Sequence, residues 1–127
     1  MDRPKTILLV DDIPEYLETM VALLPTGSRA LKALDENSAR RILTTEKPDL
    51  VVIDVRLRED EPHNLDGLSV LRWVRRYYPE IPVVMISAYL EFEYQAECLN
   101  QGAQYFLTKP IRPDEFVKVV HRLLNMD

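Results

Sequence analysis

The sequence predicts an α/β protein built on a five-stranded, doubly wound parallel sheet. Short runs that are apolar throughout alternate along the chain with segments whose apolar side chains recur at helical spacing. Strands without polar alternation must be covered on both faces, and strands separated by helices are normally parallel. We therefore expect helices on both sides of the sheet.

The first two pairs of strand and helix differ in how clearly the sequence marks them. Residues 6–10 form the first predicted strand, and a helix follows in which Pro14 is compatible with the first turn. The apolar positions of this helix that fall on one face are Leu17, Met20, Val21 and Leu24. Residues 28–34 make a poor strand and residues 38–45 a short helix, so the second pair is predicted mainly from its neighbours.

The middle of the chain contains the third and fourth predicted strands. Residues 49–55 are apolar almost throughout and form the third strand. Asp66 is expected to be the N-cap of the helix that follows, and Pro79 limits that helix. Residues 81–87 then form the fourth strand.

The last third of the chain repeats the alternation. A helix from about residue 91 to residue 101 should end at Gly102, because glycine is favoured just after a helix end. Residues 104–108 form the fifth strand, and Pro113 opens the last helix. The apolar stripe of this helix consists of Phe116, Val119, Val120, Leu123 and Leu124.

Composition limits the class of protein. With 127 residues and 46% hydrophobic residues, the chain is predicted to be one domain, residues 1–127, that folds without disulfides or structural metal. The single cysteine, Cys98, and the lack of a long apolar stretch predict a cytoplasmic location and no membrane contact. A net charge of -5 argues against nucleic-acid binding by this domain. The domain is expected either to stand alone or to come from a larger protein.

Polar residues stand where four of the predicted strands end. They are Asp11, Asp12, Asp54, Ser87 and Lys109. In doubly wound folds ligands bind outside these strand ends. Three clustered carboxylates need a cation, and oxygen ligands with room for water suit Mg²⁺. A carboxylate can also be a nucleophile that accepts a phosphoryl group, while a lysine and a hydroxyl neutralise its oxygens. Asp54, which has no adjacent acidic residue, is the candidate nucleophile.

Five motifs together are specific for one known family. They are Ile7-Leu8-Leu9-Val10-Asp11-Asp12, Asp49-Leu50-Val51-Val52-Ile53-Asp54, Asp66-Gly67, Val83-Val84-Met85-Ile86-Ser87-Ala88 and Gly102-Ala103-Gln104-Tyr105-Phe106-Leu107-Thr108-Lys109-Pro110. Through them the chain resembles the receiver domain of bacterial two-component response regulators, from about Lys5 to Leu124. The resemblance implies a flavodoxin-like (βα)5 fold with strand order 2-1-3-4-5, and a sensor histidine kinase or phosphotransfer protein as phosphoryl donor.

The resemblance also implies a role for each matching residue. Asp54 corresponds to the phosphoacceptor, and the metal ligands correspond to Asp11, Asp12, Asp54 and the backbone carbonyl of Arg56. Ser87 and Lys109 correspond to the residues that bind the phosphoryl group. Phe106 corresponds to the aromatic residue that switches with Ser87, and the Lys109-Pro110 peptide is expected to be cis. Arg56 and Tyr89 occupy the positions that tune dephosphorylation in the family.

Phosphorylation in the family reshapes the surface of the fourth helix, fifth strand and last helix. We expect the same surface to mediate dimerisation or output here. Ala96 and Leu99 are expected to contact the core. Another group around the fourth helix either remains partly exposed as a partner surface or packs against the adjoining helix: Leu90, Phe92, Tyr94 and Cys98.

One segment departs from the family pattern. Residues 55–65, which follow the candidate nucleophile, are several residues longer than usual and lack the common proline. We expect a solvated charged loop that can also shield the phosphoryl group or contact a partner.

Two other functions use similar residues. A phosphohydrolase of the haloacid-dehalogenase type needs a second aspartate two residues after its nucleophile, where this chain has Arg56. A receiver-like scaffold that works without phosphorylation is expected to lack acidic residues or the lysine, and this sequence has them all.

Overall fold

The computed structural model of the chain describes residues 3–88 and 94–126. The strands are β1 (Thr6–Val10), β2 (Arg29–Ala33), β3 (Leu50–Asp54), β4 (Val83–Ser87) and β5 (Tyr105–Thr108). The helices are α1 (Pro14–Ala22), α2 (Glu36–Glu46), α3 (Asp66–Tyr77), α4 (Gln95–Asn100) and α5 (Pro113–Leu123). All five predicted pairs of strand and helix are present, including the second.

The strands form one parallel sheet in the order β2-β1-β3-β4-β5. This confirms the predicted flavodoxin-like topology. Strands β1, β3 and β4 are buried along their whole length, whereas β2 and β5, at the edges, are partly exposed. The three central strands are also the ones that the sequence marks by uninterrupted apolar runs.

Helices cover both faces of the sheet, and each face has its own hydrophobic cluster. Alternate residues of β1 point to opposite sides, because side chains alternate along a strand. Leu8 and Val10 pack with residues of α2, α3 and α4, whereas Ile7 and Leu9 pack with residues of α1 and α5. The two-sided covering explains why the central strands carry no polar alternation.

The start of α3 differs from the prediction. Asp66 is the first residue of the helix, and the N-cap position is taken by Leu65. The side-chain oxygen near the start of the helix comes from Asn64 and not from Asp66. Asn64 Oδ1 accepts a hydrogen bond from the Asp66 backbone N–H at 3.0 Å. An amide oxygen just outside a helix satisfies an N–H group that has no partner within the helix.

The packing of α4 also differs from the prediction. Cys98 is fully buried and burial raises its pKa to about 11, whereas Leu99 is 42% exposed and Ala96 is exposed. The expected core positions of Ala96 and Leu99 are therefore wrong. Leu90 and Phe92 lie outside the described residues. Among the described residues the helix has only six residues, Gln95–Asn100, too few for its apolar spacing to fix which side faces the sheet.

In the part of the chain that the structure describes, no helix combines the length and apolarity needed to cross a membrane.

Candidate site at the carboxyl edge of the sheet

The register of the central strands brings the predicted site residues to one edge. Val10 of β1 lies opposite Ile53 of β3, so the aspartates that follow them leave the sheet side by side. Asp54 in turn lies opposite Ile86 of β4, and Ser87 follows at the end of that strand. Parallel strands end at the same edge, which is where ligand sites form in this class of sheet.

Three aspartates meet at this edge. One carboxylate oxygen from each of Asp11, Asp12 and Asp54 lies within 4.8 Å of the other two. Asp11 is fully buried and Asp54 is 4% exposed, whereas Asp12 lies at the rim. Buried carboxylates so close together repel one another unless positive charge lies between them.

Lys109 supplies part of that charge. Its Nζ donates hydrogen bonds to Asp11 Oδ2 and to Asp54 Oδ2, both at 3.0 Å. The lysine follows β5, and the Lys109-Pro110 peptide is cis, as the resemblance predicted. A third contact was not predicted: the ring of Tyr16, in the first turn of α1, has its centroid 4.0 Å from the same Nζ. The ammonium therefore lies between two carboxylates and an aromatic ring.

Burial and neighbouring charges shift the pKa values of Lys109 and Asp11. Burial alone lowers the pKa of Lys109, but the attraction of Asp54 and Asp11 exceeds this effect and the pKa is raised. Burial raises the pKa of Asp11 more than Lys109 and the Ile13 backbone N–H lower it. The two aspartates thus favour the charged form of Lys109, whereas burial disfavours the charged form of Asp11 more than its neighbours favour it.

The donor atoms suit a divalent cation. Asp12 Oδ1 is buried and, within residues 3–88 and 94–126, accepts no hydrogen bond. A buried carboxylate oxygen without a donor is costly unless a cation meets it. Carboxylate oxygens at a rim that water can reach fit Mg²⁺, which keeps several waters and takes one or two protein carboxylates. Asp11, Asp12 and Asp54 can therefore hold this ion.

Ser87 is the last residue of β4, whereas Phe106 is the second residue of β5, three residues before Lys109. Ser87 is fully buried at the strand end, and its Oγ donates a hydrogen bond to the Ala88 carbonyl at 3.2 Å. Phe106 is half-buried and packs against the cluster that lies under α2, α3 and α4. Their roles in phosphoryl binding and switching remain predictions, as does the role of the Arg56 carbonyl. Tyr89 lies outside the described residues.

A glycine at the start of α3, Gly67, lies very close to the backbone of Asp54. An ideal Cβ built on Gly67, at the start of α3, would lie 1.8 Å from the Asp54 carbonyl oxygen. The Gly67 N–H donates to the carbonyl of Val55 at 2.9 Å. The Asp66-Gly67 motif therefore matters because only glycine lets α3 begin this close to the end of β3.

The loop after β3 is solvated only in part. Residues 58–63 are exposed, as predicted, but Val55 and Leu57 are buried. The Glu59 backbone N–H donates to Asp12 Oδ2 at 2.9 Å, so the loop reaches back to the acidic cluster. No sequence signal predicts this contact, because any residue except proline carries the donor.

Comparisons with known proteins point to one family. A family model described as "Response regulator receiver domain" matches residues 7–121. The nitrogen assimilation regulatory protein NtrX of Azorhizobium caulinodans is 34% identical over 94% of this chain and 26% of its own length. The response regulator protein PilR of Pseudomonas aeruginosa is 33% identical over 98% of this chain and 28% of its own length. This chain therefore spans about a quarter of the length of these relatives.

Solved structures show the same similarity. The crystal structure of the receiver domain of NtrX from Brucella abortus superposes with a TM-score of 0.83 and 32% identity, covering 95% of this chain and 99% of that one. The receiver domain of the Francisella response regulator 1452 gives a TM-score of 0.80 and 29% identity, covering 95% and 97%.

Proposed function

The chain belongs to the response regulator receiver domain family, and we propose that it is a signalling switch that accepts a phosphoryl group on Asp54. The observation that carries the proposal is the position of the Lys109 ammonium, 3.0 Å from both Asp54 and Asp11 in a buried cluster of aspartates. A carboxylate beside a fixed cation and a candidate metal site has what phosphoryl transfer requires.

The proposed step is a transfer from a phosphohistidine. One oxygen of Asp54 forms a bond to phosphorus while the phosphorus–nitrogen bond of the donor breaks. The electron pair of that bond stays with the imidazole nitrogen, which takes up a proton. The product is an acyl phosphate on Asp54. Hydrolysis later breaks the bond between phosphorus and this oxygen, releasing inorganic phosphate and restoring the carboxylate.

The other residues of the site position the phosphoryl group and neutralise its charge. Lys109 stays protonated and exchanges a carboxylate partner for a phosphoryl oxygen, and the Ser87 hydroxyl donates to a second oxygen. Asp11, Asp12, Asp54 and the Arg56 carbonyl would hold Mg²⁺, which when bound supplies positive charge toward the phosphoryl oxygens. Burial of Asp11, Asp54 and Ser87 limits water at the site and so strengthens these interactions.

The proposed output is a change on the surface formed by α4, β5 and α5. Ser87 ends β4, and Phe106 lies on the adjacent strand β5 opposite Met85, with its side chain half-buried. Movement of Ser87 toward a phosphoryl group would bias the position of the ring, which is a population shift driven by new contacts at one end. The altered surface would then change dimerisation or the binding of an output partner.

The partners are also part of the proposal. A sensor histidine kinase or phosphotransfer protein would supply the phosphoryl group. The relatives are named as regulatory proteins and are about four times as long as this chain, so an output domain is the natural recipient of the signal. We place the exchange in the cytoplasm, where a single free cysteine such as Cys98 stays reduced.

The test is to incubate the chain with Mg²⁺ and acetyl phosphate and to record the intact mass. We expect one phosphoryl adduct that hydroxylamine removes, and no adduct when EDTA replaces Mg²⁺. The Asp54→Asn variant should remain unmodified. Absence of an adduct in the wild type, with a histidine kinase as well as with the small donor, would contradict the proposal and favour a scaffold that works without phosphorylation.

No observation favours the phosphohydrolase alternative. Its general acid would stand at position 56, where the side chain of Arg56 instead forms an ion pair with Glu59 at 3.1 Å.

A further inference from the structure

The loop between β3 and α3 is anchored by the buried Leu57 and the partly buried Asn64. Leu57 is 2% exposed, and its backbone N–H donates to Asn64 Oδ1 at 3.0 Å. The same oxygen accepts from the Asp66 N–H at 3.0 Å, so one side chain ties the start of the loop to its end. Between them, the Glu61 N–H donates to the Arg58 carbonyl at 2.9 Å and closes a turn. Hydrogen bonds therefore join the start, middle and end of the segment 57–64.

This segment touches the acidic cluster at one point. The Glu59 backbone N–H donates to Asp12 Oδ2 at 2.9 Å, across 47 positions of the sequence. The side chain of Glu59 is half-exposed and adds an ion pair with Arg56 at 3.1 Å, a kind of contact that contributes little at a surface. The backbone donor, not the side chain, is thus the link between loop and cluster.

The two oxygens of Asp12 are consequently different. Oδ2 is occupied by the Glu59 N–H, whereas Oδ1 is buried and, in the described part of the chain, has no donor. A hydrogen bond to one oxygen fixes the rotation of a carboxylate and so fixes the direction of the other. Asp12 lies at the rim of the cluster, where its side chain would otherwise sample several orientations.

We propose that the loop segment 57–64 is a positioning arm of the cation site, which fixes Asp12 through the Glu59 backbone N–H so that Oδ1 is free for Mg²⁺. The inference rests on the metal site of the proposed function, but it concerns binding of the ion and not phosphoryl transfer. The proposal also gives a reason for the length of the loop, because the arm must extend far enough to reach Asp12 after β1.

The arrangement requires that loop order and Mg²⁺ binding support each other. The N–H uses Oδ2 and the ion uses Oδ1, so the two do not compete for one atom. If the ordered loop strengthens Mg²⁺ binding, bound Mg²⁺ must stabilise the ordered loop by the same factor. The coupling can therefore be measured from either side.

The first measurement is Mg²⁺ affinity by isothermal titration calorimetry on the whole chain. Glu59→Pro removes the N–H donor, and Glu59→Ala is its matched control because it removes the side chain and keeps the donor. We expect Glu59→Pro to weaken Mg²⁺ binding by about tenfold, the usual lower effect of losing a group that orients a metal ligand. Glu59→Ala should bind Mg²⁺ nearly as the wild type does. Asn64→Ala, which frees the two ends of the loop, should weaken binding as well.

The second measurement needs no variant. Hydrogen exchange of the Glu59 amide, followed by NMR in the wild type, should become slower when Mg²⁺ is added. This readout keeps the proposal testable if Glu59→Pro does not fold, which circular dichroism will show.

The outcomes separate the inference from the proposed function. Equal Mg²⁺ affinity in the wild type, Glu59→Pro and Asn64→Ala, or faster exchange of the Glu59 amide with Mg²⁺, would overturn the positioning arm alone. A wild type that binds Mg²⁺ with the expected coupling and yet accepts no phosphoryl group would contradict only the proposed function. A wild type that binds no Mg²⁺ would overturn both.

Discussion

Lys109 Nζ lies 3.0 Å from Asp54 Oδ2, although 55 positions separate the two residues in the sequence. The lysine makes an equal contact with Asp11, so a single cation balances two buried carboxylates. In the absence of this ammonium the site would hold uncompensated negative charge in a place that water hardly reaches. The same cation is available to a phosphoryl oxygen once Asp54 has been modified.

Replacing Lys109 by methionine keeps an unbranched side chain that is one atom shorter and removes the charge. We expect Lys109→Met to lower the free energy of unfolding by about 3 kcal/mol, because one partner of a buried ionic cluster is lost. Phosphorylation of Asp54 by acetyl phosphate should slow by about a hundredfold, the usual cost of losing one charged group that stabilises a transition state. Urea denaturation and the rate of adduct formation measure the two effects. The exposed Lys118 offers the matched control, and equal effects of Lys118→Met would contradict the assignment.

Tyr16 is the contact of the site that the motifs do not include. Its ring lies 4.0 Å from Lys109 Nζ, and a cation over an aromatic face is stabilised by about 1 kcal/mol. We expect Tyr16→Ala to shorten the lifetime of the phosphoryl adduct by about fivefold, because the ammonium is less fixed and water gains access. Tyr16→Phe keeps the ring and should keep the lifetime. Decay of the adduct followed by intact mass measures both, and equal lifetimes for the two variants would show that the ring has no part in it.

The start of α3 has no space for a side chain at Gly67. A Cβ at this position would lie 1.8 Å from the Asp54 carbonyl oxygen, so Gly67→Ala must push the backbone of α3 or of β3 aside. We expect a loss of about 3 kcal/mol in the free energy of unfolding and slower phosphorylation of Asp54.

Gly27 provides the comparison for this prediction. It has a φ of +84° but nothing within 4 Å of an added Cβ, so Gly27→Ala should cost about 1 kcal/mol through backbone strain. Phosphorylation should then proceed as in the wild type. Urea denaturation and adduct formation on both variants decide the matter, and equal losses of phosphorylation would contradict the steric explanation.

Asp35 links the stability of α2 to pH. Its side chain accepts hydrogen bonds from Ser38 Oγ at 2.7 Å and from the Ser38 N–H at 2.8 Å, and these contacts lower its pKa below the ordinary value of 3.8. A lowered pKa means that the stabilising charge is fully present above pH 3.8 and is lost as the pH falls through the folded-state value.

The matching experiment compares Asp35→Ala with the wild type by urea denaturation. At pH 7 the variant should lose about 1 kcal/mol, the usual effect of removing an N-cap. The difference should narrow below pH 3.8, where the wild-type carboxylate becomes protonated. Asp35→Asn keeps an oxygen that accepts from Ser38, and its stability relative to Asp35→Ala should not change with pH, because neither variant has the carboxylate. A difference between alanine variant and wild type that is constant from pH 7 to pH 3 would contradict the assignment.

The fold could be predicted from the sequence because uninterrupted apolar runs identify its central strands. The runs before Asp11, Asp54 and Ser87 are apolar throughout, and the structure buries them completely. The edge strand β2 was hard to recognise, since its exposed half permits polar residues such as Arg29 and Lys32. Local caps also depend on small differences of geometry, which is why Asn64 and not Asp66 supplies the oxygen at the start of α3.

The site could be predicted in part for the same reason. Residues that end parallel strands must lie at one edge, so the grouping of Asp11, Asp54 and Lys109 follows from topology. Contacts made by backbone atoms do not follow from residue type, and the Glu59 N–H on Asp12 is such a contact. The ring of Tyr16 reaches Lys109 from the first turn of α1, and no pattern in the sequence specifies this contact.

The most direct test of the central claim is to locate the modified residue. The phosphorylated chain is reduced with borohydride, which converts a phosphorylated aspartate to homoserine, and its peptides are then mapped by mass spectrometry. We predict homoserine at position 54 and at no other aspartate, with none when Mg²⁺ is withheld. Homoserine at Asp11 or Asp12, or a chain that is unchanged at every aspartate, would contradict the account.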